Sequence, residues 1–581
     1  MAYIKCGGSA ENDGTSDVAC SNEDNPFVSA DGIGGKKPKK FKKATIALIS
    51  VFVILIGIVS IGKLFFNRDF MELIQGKTRY AQNIELATAK SSASQMVTLL
   101  DKGVNLSKGY AKPKTLNSDL QFNITLEDQF LKDMNVPAEG FGPIQQAVKY
   151  LNTLKINTKT LVGENGTQTS STLTDSSALK LTVKSLTDHD GKTYLHIPQL
   201  LDRYLSDGDQ ETAFQLSPYS LSKMKYDPKK LQASLEKLAA VYSDSLSSAE
   251  MKAENNQSVT VDGTTVQGQK LTASLTAAQT SALVKAIAQT AKNDNDLYTF
   301  VSDNYGLFSA IAGSTQSSSE NLTKENYGKL IDKLLSNLNL EKDGVTFSAN
   351  SYLSQNGTLL AHCYESHDKT DKGQLNYLIT DKKYAAEFLV DQKEGFTFTD
   401  TKTGEGTGDL QLKIHSEDLK NIGVTVHYSG LKKISFLGSD TIVGKCVFSL
   451  YDPNHELGKY AQQAGLSSDQ LDQLSLTIET ALEADKLNNT FQLSIPRLLS
   501  VSMAGKTSGV SGSVSIPPQP EPSQVLDLSK DKSGEAMNEI TMNGITFLSK
   551  TLEKDPELAA VLSGFGISKE QLAMLAAFSQ A

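Results

Sequence analysis

The sequence has no tryptophan and only four cysteines, Cys6, Cys20, Cys363 and Cys446, among its 581 residues. So few cysteines exclude a small disulfide-stapled scaffold, and a chain of this length does not need one because it can bury a large core. Without tryptophan, the aromatic residues at any membrane interface must be Phe or Tyr. The net charge of −9 is mild for this length and gives no reason to expect nucleic acid as a partner.

Motifs for catalysis and for cofactors are also scarce. The sequence has no His-Glu-x-x-His motif and no Walker phosphate loop, which are the usual signatures of a zinc peptidase and of a nucleoside triphosphatase. His362 and His367 flank Glu365, but no further metal ligand at a suitable spacing is visible. We therefore expect these three side chains to be polar residues that face solvent, and we expect no cofactor.

Residues 44–66 form a long apolar stretch. Its first part, ATIALISVFVILIGIVSIG, has no charged residue, and at ~1.5 Å per residue a helix of this length nearly crosses a hydrocarbon core of about 30 Å. The stretch begins late in the chain and no small-x-small cleavage site follows it directly, which favours a membrane anchor over a cleaved signal peptide. The sequence therefore predicts one transmembrane helix.

Charges on either side of this stretch predict its orientation. Six lysines precede it, namely Lys36, Lys37, Lys39, Lys40, Lys42 and Lys43. On the other side, Lys63 and Arg68 are partly offset by Asp69 and Glu72. Because positive charge is enriched on the cytoplasmic side of membrane spans, we expect a cytoplasmic N-terminus and an extracellular C-terminal body. The membrane is thus a predicted partner of the chain.

The predicted cytoplasmic tail resembles the short N-terminal zinc ribbon of many membrane proteins of Gram-positive bacteria. In such a ribbon, two Cys-x-x-Cys pairs hold a tetrahedral zinc ion. Cys6 and Cys20 stand where each pair would begin, but Ser9 and Glu23 occupy the second positions. Because two of the four ligands are missing, the resemblance implies an incomplete metal site.

Strand and turn signals dominate the body of the chain. Leu120, Phe122, Ile124 and Leu126 alternate with polar residues, which is typical of a half-buried strand. The same alternation recurs at Leu410/Leu412/Ile414, Val424/Val426/Tyr428, Cys446/Phe448/Leu450 and Phe491/Leu493/Ile495. Asn-Gly and Asp-Gly pairs at 165–166, 190–191, 262–263, 343–344 and 356–357 predict hairpin turns.

Helical signals interrupt the strands. Asp227 and Pro228 have the residue types of an N-cap followed by the first helical position, residues 276–291 are rich in alanine, and Thr323 precedes a third helical pattern. Together these signals predict an α+β fold. We expect a large curved antiparallel sheet, half-barrel-like, that is packed on helices and preceded by one transmembrane helix.

The same signals divide the chain into seven regions. These are a cytoplasmic tail (1–43), the transmembrane helix (44–66), a juxtamembrane stalk (67–114), an α+β extracellular region (115–345), a β-rich extracellular region (346–510), a Pro/Ser-rich linker (511–523) and a C-terminal helical region (524–581). The linker is assigned because Pro517, Pro518, Pro520 and Pro522 prevent a regular element there.

The body resembles lipoprotein carriers of the LolA and LppX type. The likeness rests on hairpin phrases such as DGKTYLHIP at 190–198, and VDG at 261–263 followed by VQGQKL at 266–271. In those carriers a curved half-barrel wraps helices and leaves an apolar cavity, so the resemblance implies an apolar ligand, such as a lipid, between sheet and helices. The whole chain is similar to uncharacterised membrane-anchored extracellular proteins of Gram-positive Firmicutes, a likeness that brings no catalytic residues with it.

Three short motifs occur in the order found in penicillin-binding proteins and serine β-lactamases. They are Ser220-x-x-Lys223, Ser302-Asp303-Asn304 and Lys402-Thr403-Gly404. This resemblance implies a serine acyl-enzyme in which Ser220 is the nucleophile and Lys223 helps to activate it. The residues that would shape the rest of the site are Ser302, Asn304 and Lys402. A proline at 228 and the hairpin predicted over 259–275 conflict with the helices of that fold, so the enzyme is an alternative hypothesis.

Our leading hypothesis is a membrane-anchored, non-enzymatic protein of the cell envelope that binds an apolar ligand or a lipid. A purely structural or adhesive surface scaffold, with envelope proteins as partners, is a further hypothesis. In either case Cys363 and Cys446 lie in the oxidising exterior. Each shares a strand face with apolar neighbours, so two alternatives stay open, a pair of core thiols or a disulfide.

Overall fold

The structure is a computed structural model of the chain. It describes residues 76–188, 192–206, 221–311, 322–336, 340, 342–368, 371–416, 420–463, 466–528, 534–568, 570–572 and 574. The predicted tail with Cys6 and Cys20, the predicted membrane helix 44–66 and Ser220 lie outside these residues. Within the described ranges, no helix is both long enough and apolar enough to cross a membrane.

The described residues include twelve α-helices. They are α1 (Lys77–Ala111), α2 (Asp128–Asp133), α3 (Phe141–Leu151), α4 (Pro228–Ser245), α5 (Ala277–Asn293), α6 (Asn295–Asp303), α7 (Tyr305–Ile311), α8 (Lys324–Ser336), α9 (Gly458–Gln463), α10 (Ser468–Asp472), α11 (Glu535–Leu552) and α12 (Pro556–Gly564). The longest, α1, has 35 residues and is therefore ~52 Å long. The start of α4 agrees with the sequence, because the Asp227 carboxylate accepts the backbone N–H groups of Lys229 and Lys230.

The strands follow in the same way. They are β1 (Lys114–Leu126), β2 (Lys155–Gly163), β3 (Gly166–Thr174), β4 (Lys180–Asp188), β5 (Thr193–His196), β6 (Tyr204–Ser206), β7 (Glu250–Val261), β8 (Thr264–Leu275), β9 (Thr346–Leu353), β10 (Leu359–His367), β11 (Lys372–Ile379), β12 (Lys383–Val390), β13 (Glu394–Gly404), β14 (Thr407–His415), β15 (Lys420–Phe436), β16 (Ser439–Tyr451), β17 (Ser475–Glu483), β18 (Lys486–Ile495), β19 (Leu499–Ser511) and β20 (Val525–Asp527).

These twenty strands form one sheet. From one edge to the other, the strands β7 to β19 stand in chain order, then come β1 to β6, and β20 is the other edge. The pairing of β1 with β19 joins the two ends of the body, and the pairing of β8 with β9 carries the sheet across the predicted boundary at 345/346. Most neighbouring strands are therefore consecutive in the chain. The antiparallel pair of β1 with β19 joins the strands β1–β6 to the strands β7–β19.

The predicted fold class is wrong. The expected antiparallel half-barrel packed on helices is replaced by a large mixed sheet of 20 strands plus helices, and 42% of the residues are in strands. The mixed character comes from β20, which runs parallel to β6 and pairs Val525 with Tyr204. Turn signals report only strands that are neighbours in sequence. A pair between such distant segments has no local signal, so the sequence could not show it.

The strands β8–β12 are packed on both sides. On one side, which we call the helix face, residues of α1, α4 and α5 form the main hydrophobic core with the sheet, and Ile84, Leu235, Leu283 and Phe347 are among its buried members. On the other side, the opposite face, a second cluster contains Val261, Tyr352, Ala361, Cys363, Leu378 and Ala385. Burial on both faces explains why β10 and β11 are almost continuously buried.

Asp262, in the turn between β7 and β8, fastens this hairpin to the opposite face. Its carboxylate accepts hydrogen bonds from the ammonium groups of Lys383 on β12 (3.2 Å) and Lys413 on β14 (2.6 Å). Burial raises the pKa of Asp262, but the two lysines outweigh burial and hold this pKa below its usual value. Asp262 and Gly263 both have positive φ, as the predicted Asp-Gly turn requires.

A buried polar cluster fastens α1 to the helix face. Glu85 of α1 accepts hydrogen bonds from Ser351 on β9 (2.6 Å) and from Tyr242 on α4 (2.8 Å). Its carboxylate also lies 2.8 Å from Nε2 of His362 on β10, within hydrogen-bond distance. His362 is 0% exposed, so the expectation that it faces solvent is wrong. The charge on Glu85 explains this burial, because a carboxylate with three partners can hold a histidine inside the core.

Replacing Glu85 by Ala should destabilise the fold strongly. The change leaves Ser351, Tyr242 and His362 buried without their common partner, and each buried polar group that loses its partner costs about 1–3 kcal/mol. Glu85→Gln keeps the shape and part of the hydrogen bonding, so its loss should be smaller. Urea unfolding of the purified chains, followed by circular dichroism, measures both. Equal stability of wild type and Glu85→Ala would contradict the fastening role.

Glu85 should also contribute to acid sensitivity. Burial raises its pKa, but His362 and the hydrogen bonds from Ser351 and Tyr242 outweigh burial, and the pKa lies below the ordinary value of 4.5. A carboxyl group with a lowered folded-state pKa stabilises the fold above its unfolded pKa, and this stabilisation is lost as the pH falls through the folded pKa. Unfolding free energy measured between pH 6 and pH 3 should therefore fall less steeply in Glu85→Gln than in the wild type.

Candidate functional site

Apolar side chains continue along the helix face beyond the part that the helices cover. Residues opposite each other in antiparallel strands point to the same face, so the register shows which side chains share it. The row Ser351, His362, Tyr377, Ala386 and Phe398 runs from β9 to β13. The helices cover the first members of this row, and beyond Ala386 on β12 the row leaves the main hydrophobic core.

Five rows of paired residues make up this continuation, which we call the apolar band. They are Phe396, Ile414 and Ile422; Phe398, Leu412, Val424 and Leu450; Leu410, Val426, Phe448, Leu476, Leu493, Val501 and Ile124; Cys446, Ile478, Phe491, Met503 and Phe122; and Leu120, Ile156, Leu173 and Leu181. The band crosses eleven strands, from β13 to β19 and then from β1 to β4. At ~4.8 Å between strands, it is about 50 Å long.

The band is exposed to a degree that is unusual for so many aligned apolar residues. Seven of its members are between 37% and 49% exposed, namely Phe396, Leu412, Ile414, Val424, Ile478, Phe491 and Leu493. Scattered exposed apolar residues need no explanation, but a contiguous exposed patch marks an interaction surface. The opposite face of the same strands is polar, as in β1, where Asn117, Asp119 and Gln121 are exposed. The apolar residues of the band therefore share one face of the sheet, whose other face is mainly polar.

Helices close the β1–β3 end of the band. Tyr150 of α3 and Val561 of α12 form a small buried cluster with Leu154, and Phe122 and Leu173 of the band pack against it. The hydroxyl of Tyr150 donates to the carboxylates of both Asp175 (2.9 Å) and Asp555 (3.2 Å). Burial and the neighbouring Asp175 raise the pKa of Asp555, whereas hydrogen bonds lower the pKa of Asp175 despite its burial. Both carboxyl groups thus meet at the Tyr150 hydroxyl, and their interaction makes Asp555 the easier of the two to protonate.

Asp555→Asn should preserve or raise stability at neutral pH, whereas Asp555→Ala should lower it by about 1 kcal/mol. Asn keeps the oxygen that caps α12 at the N–H of Leu558 and removes the like charge beside Asp175. Because the pKa of Asp555 is raised, the stability this group contributes is present at low pH and is lost as the pH rises. The advantage of Asn over Asp in melting curves should therefore grow from pH 4 to pH 8, and an advantage that shrank would contradict the raised pKa of Asp555.

The members of the acyl-enzyme motifs that the structure describes are used in local structure. The hydroxyl of Ser302 on α6 donates to the carbonyl of Leu322 at 2.9 Å. The amide of Asn304 is buried, accepts the N–H of Lys225 at 2.9 Å and donates to the carbonyl of Lys225 at 2.7 Å. Asn304 therefore fastens the segment before α4 to the end of α6.

The two lysines of these motifs are exposed and far apart in the topology. Lys223 precedes α4, whereas Lys402 lies near the end of β13, between β12 and β14. Among the described residues, no hydrogen bond joins Lys402 to Ser302 or Asn304. Since Ser220 lies outside the described residues, the nucleophile itself is not placed. The described members do not form a common site.

Cys363 and Cys446 are free thiols. Cys363 on β10 faces the cluster on the opposite face, and burial raises its pKa to about 12, so it stays protonated and unreactive. Cys446 on β16 belongs to the apolar band. Five strands separate β10 from β16 and the two side chains point to different faces of the sheet, which precludes the short Cα separation of a disulfide. Of the two alternatives left open by the sequence, the structure shows free thiols and not a disulfide.

An open cleft of about 560 Å³ lies beside the start of α5, at the ends of β8, β9 and β10. Its lining includes Glu250, Glu365 and His367. Glu365 already accepts a hydrogen bond from Gln374 and lies 3.4 Å from Lys372. No group of potential metal ligands is found among the described residues. The lining of the cleft is about equally polar and apolar and the cleft spans few strands, so the apolar band is the stronger candidate for a functional surface.

The alternation at Leu410, Val424, Cys446 and Phe491 correctly identified strands that carry the band. Alternation could not show that these strands share one sheet, nor that helices leave their apolar side uncovered. An uncovered apolar surface could have been suspected from the number of strands with an apolar face, because the predicted helices are too few to cover all of them. Comparisons with protein-family models, with curated proteins and with solved structures found no match for this chain.

Proposed function

We propose that the chain is a non-enzymatic, membrane-anchored protein of the cell envelope that binds the acyl chains of a lipid on the apolar band. The observation that carries this proposal is the aligned, partly exposed apolar surface across eleven strands. Water contacts with such a surface are unfavourable by about 25 cal/mol per Å² of apolar area. Covering only ~300 Å² of the band would therefore gain ~7 kcal/mol before the cost of ordering the ligand.

The shape of the band favours acyl chains over a globular partner. The band is about 50 Å long, but in each strand it is only one to three apolar residues wide, or at most ~14 Å. A flexible hydrocarbon chain can lie along such a narrow band across the strands. A protein interface is usually a rounder patch with charged or polar groups at its rim. Lipid therefore fits the dimensions of the band better than a folded domain does.

The sequence supplies the second support. The apolar stretch 44–66, with lysines before it, favours anchoring in a membrane with the described body outside the cell. Such an anchor would hold the body beside a source of lipid. Helix α1 begins at Lys77, ten residues after this stretch, and is fastened to the sheet by Glu85. The proposed anchor and the lipid-binding sheet would thus be close neighbours along the chain.

Phe491→Lys should abolish most lipid binding. Phe491 lies in the middle of the band and is 45% exposed, so a lysine fits without disturbing the core but puts a charge where an acyl chain would lie. Thr490→Lys is the matched control, because the neighbouring side chain points to the opposite face, across from Glu479. Native mass spectrometry of the detergent-purified chain, after extraction from membranes, should detect bound lipid in the wild type and the control. We expect about tenfold less in Phe491→Lys.

Two results would contradict the proposal. The first is wild-type protein without lipid-sized adducts under conditions that preserve its fold. The second is a stable dimer that lacks lipid and that Phe491→Lys dissociates, since the band would then be an interface between two copies. Matching circular dichroism spectra and melting temperatures of the two lysine variants ensure that lost binding does not reflect unfolding.

A further inference from the structure

A row of hydroxyl and amide groups runs beside the apolar band on the same face of the sheet. We call it the hydroxyl ladder, and its members are Thr480, Asn489, Thr507, Ser118, Thr158 and Ser171. They come from β17, β18, β19, β1, β2 and β3, so the ladder crosses six adjacent strands. All six side chains are half-buried. The ladder thus follows the band for about half of its length.

Hydrogen bonds connect the members of the ladder across the strands. Thr480 donates to the side-chain oxygen of Asn489 (3.1 Å), and the amide of Asn489 donates to Oγ1 of Thr507 (3.3 Å). The hydroxyl of Thr507 lies 2.9 Å from that of Ser118. Farther along, the hydroxyls of Thr158 and Ser171 are 3.0 Å apart. A hydroxyl group has one proton and two lone pairs, so these groups retain capacity for further hydrogen bonds.

The helix face of these strands carries almost no charge. In β17, β18, β19 and β1 to β4, its one charged residue is Lys114, which is buried at the end of β1 and donates to the carbonyl of Gly109. The opposite face of the same strands carries ten charged residues, namely Glu479, Glu483, Lys486, Lys506, Asp119, Lys155, Lys159, Lys180, Lys184 and Asp188. An anionic or zwitterionic group on the helix face would therefore lose water without gaining an ion pair.

We propose that the hydroxyl ladder selects lipids with an uncharged head group that bears hydroxyls, such as a diacylglycerol or its glycosylated form. This inference rests on the proposed lipid binding. The apolar band and the hydroxyl ladder lie side by side. Ile478 of the band and Thr480 of the ladder are two residues apart on β17, a distance of ~7 Å. That separation suits one amphiphile whose acyl chain covers the band while its hydroxyls reach the ladder. Neutral hydroxyls match neutral donors and acceptors, whereas a phosphodiester requires cations that this face lacks.

A competition experiment tests the selection. The detergent-purified full chain is incubated with equal amounts of dioleoylglycerol, monoglucosyl dioleoylglycerol and dioleoylphosphatidylglycerol, which share their acyl chains and differ in the head group. Bound lipid is then extracted and quantified by mass spectrometry. We expect the two neutral lipids to exceed the anionic one by about tenfold, the preference that one or two hydrogen bonds and an unpaired charge would give.

The double variant Ser118→Ala/Thr507→Val removes two hydroxyls and should reduce this preference to about threefold or less. Its matched control is Thr172→Val/Thr182→Val, which removes a hydroxyl pair of 3.3 Å from the opposite face of β3 and β4. The control should keep the wild-type preference. Equal binding of all three lipids, or a preference for the anionic lipid, would overturn the selection while leaving lipid binding intact. Absence of all three lipids would instead overturn the proposed function.

Discussion

The register of the antiparallel strands is the constraint on which the rest of the structure depends. Because successive side chains point to opposite faces, a slip of one residue in any strand would exchange its two faces. In β14 such a slip would turn Leu412 away from the helix face and put Lys413 there, breaking the ion pair with Asp262. The Asp262 interaction thus fixes the register where the two-sided core meets the one-sided band. Because each strand pairs with the one before it, the register here determines which side chains of the following strands lie on the helix face.

The same register explains why one sheet can serve both as a core and as a surface. At β8–β12, both faces are apolar and both are covered, by helices on one side and by the β7–β8 hairpin on the other. From β13 onward, the opposite face becomes polar and no longer needs a cover, while the helix face stays apolar. Stability therefore comes mainly from the first part of the sheet. The second part can keep exposed apolar residues because each of its strands is paired with a neighbouring strand on both sides.

The sequence was informative wherever the signal was local. All five predicted strand patterns, including Leu410/Leu412/Ile414 and Phe491/Leu493/Ile495, lie in strands, and the Asp262-Gly263 turn joins β7 and β8. Long-range pairing was not visible, so the single mixed sheet and the pairing of β1 with β19 were missed. His362 was misassigned for the same reason, since its partner Glu85 lies 277 positions away. The band could be found only once the register had placed distant strands side by side.

The hydroxyl ladder shows how such a face remains stable without a ligand. Its side chains hydrogen-bond to one another across the strands, as with Thr507 and Ser118, so none depends on a ligand for a first partner. A ligand hydroxyl would add to these bonds or replace a bond to water, and the net gain from each contact would be small. Affinity for the lipid would then come from the apolar band, and discrimination between head groups would come from the hydroxyl ladder. A charged head group would be rejected chiefly because it lost its hydration, which requires no repulsive residue on this face.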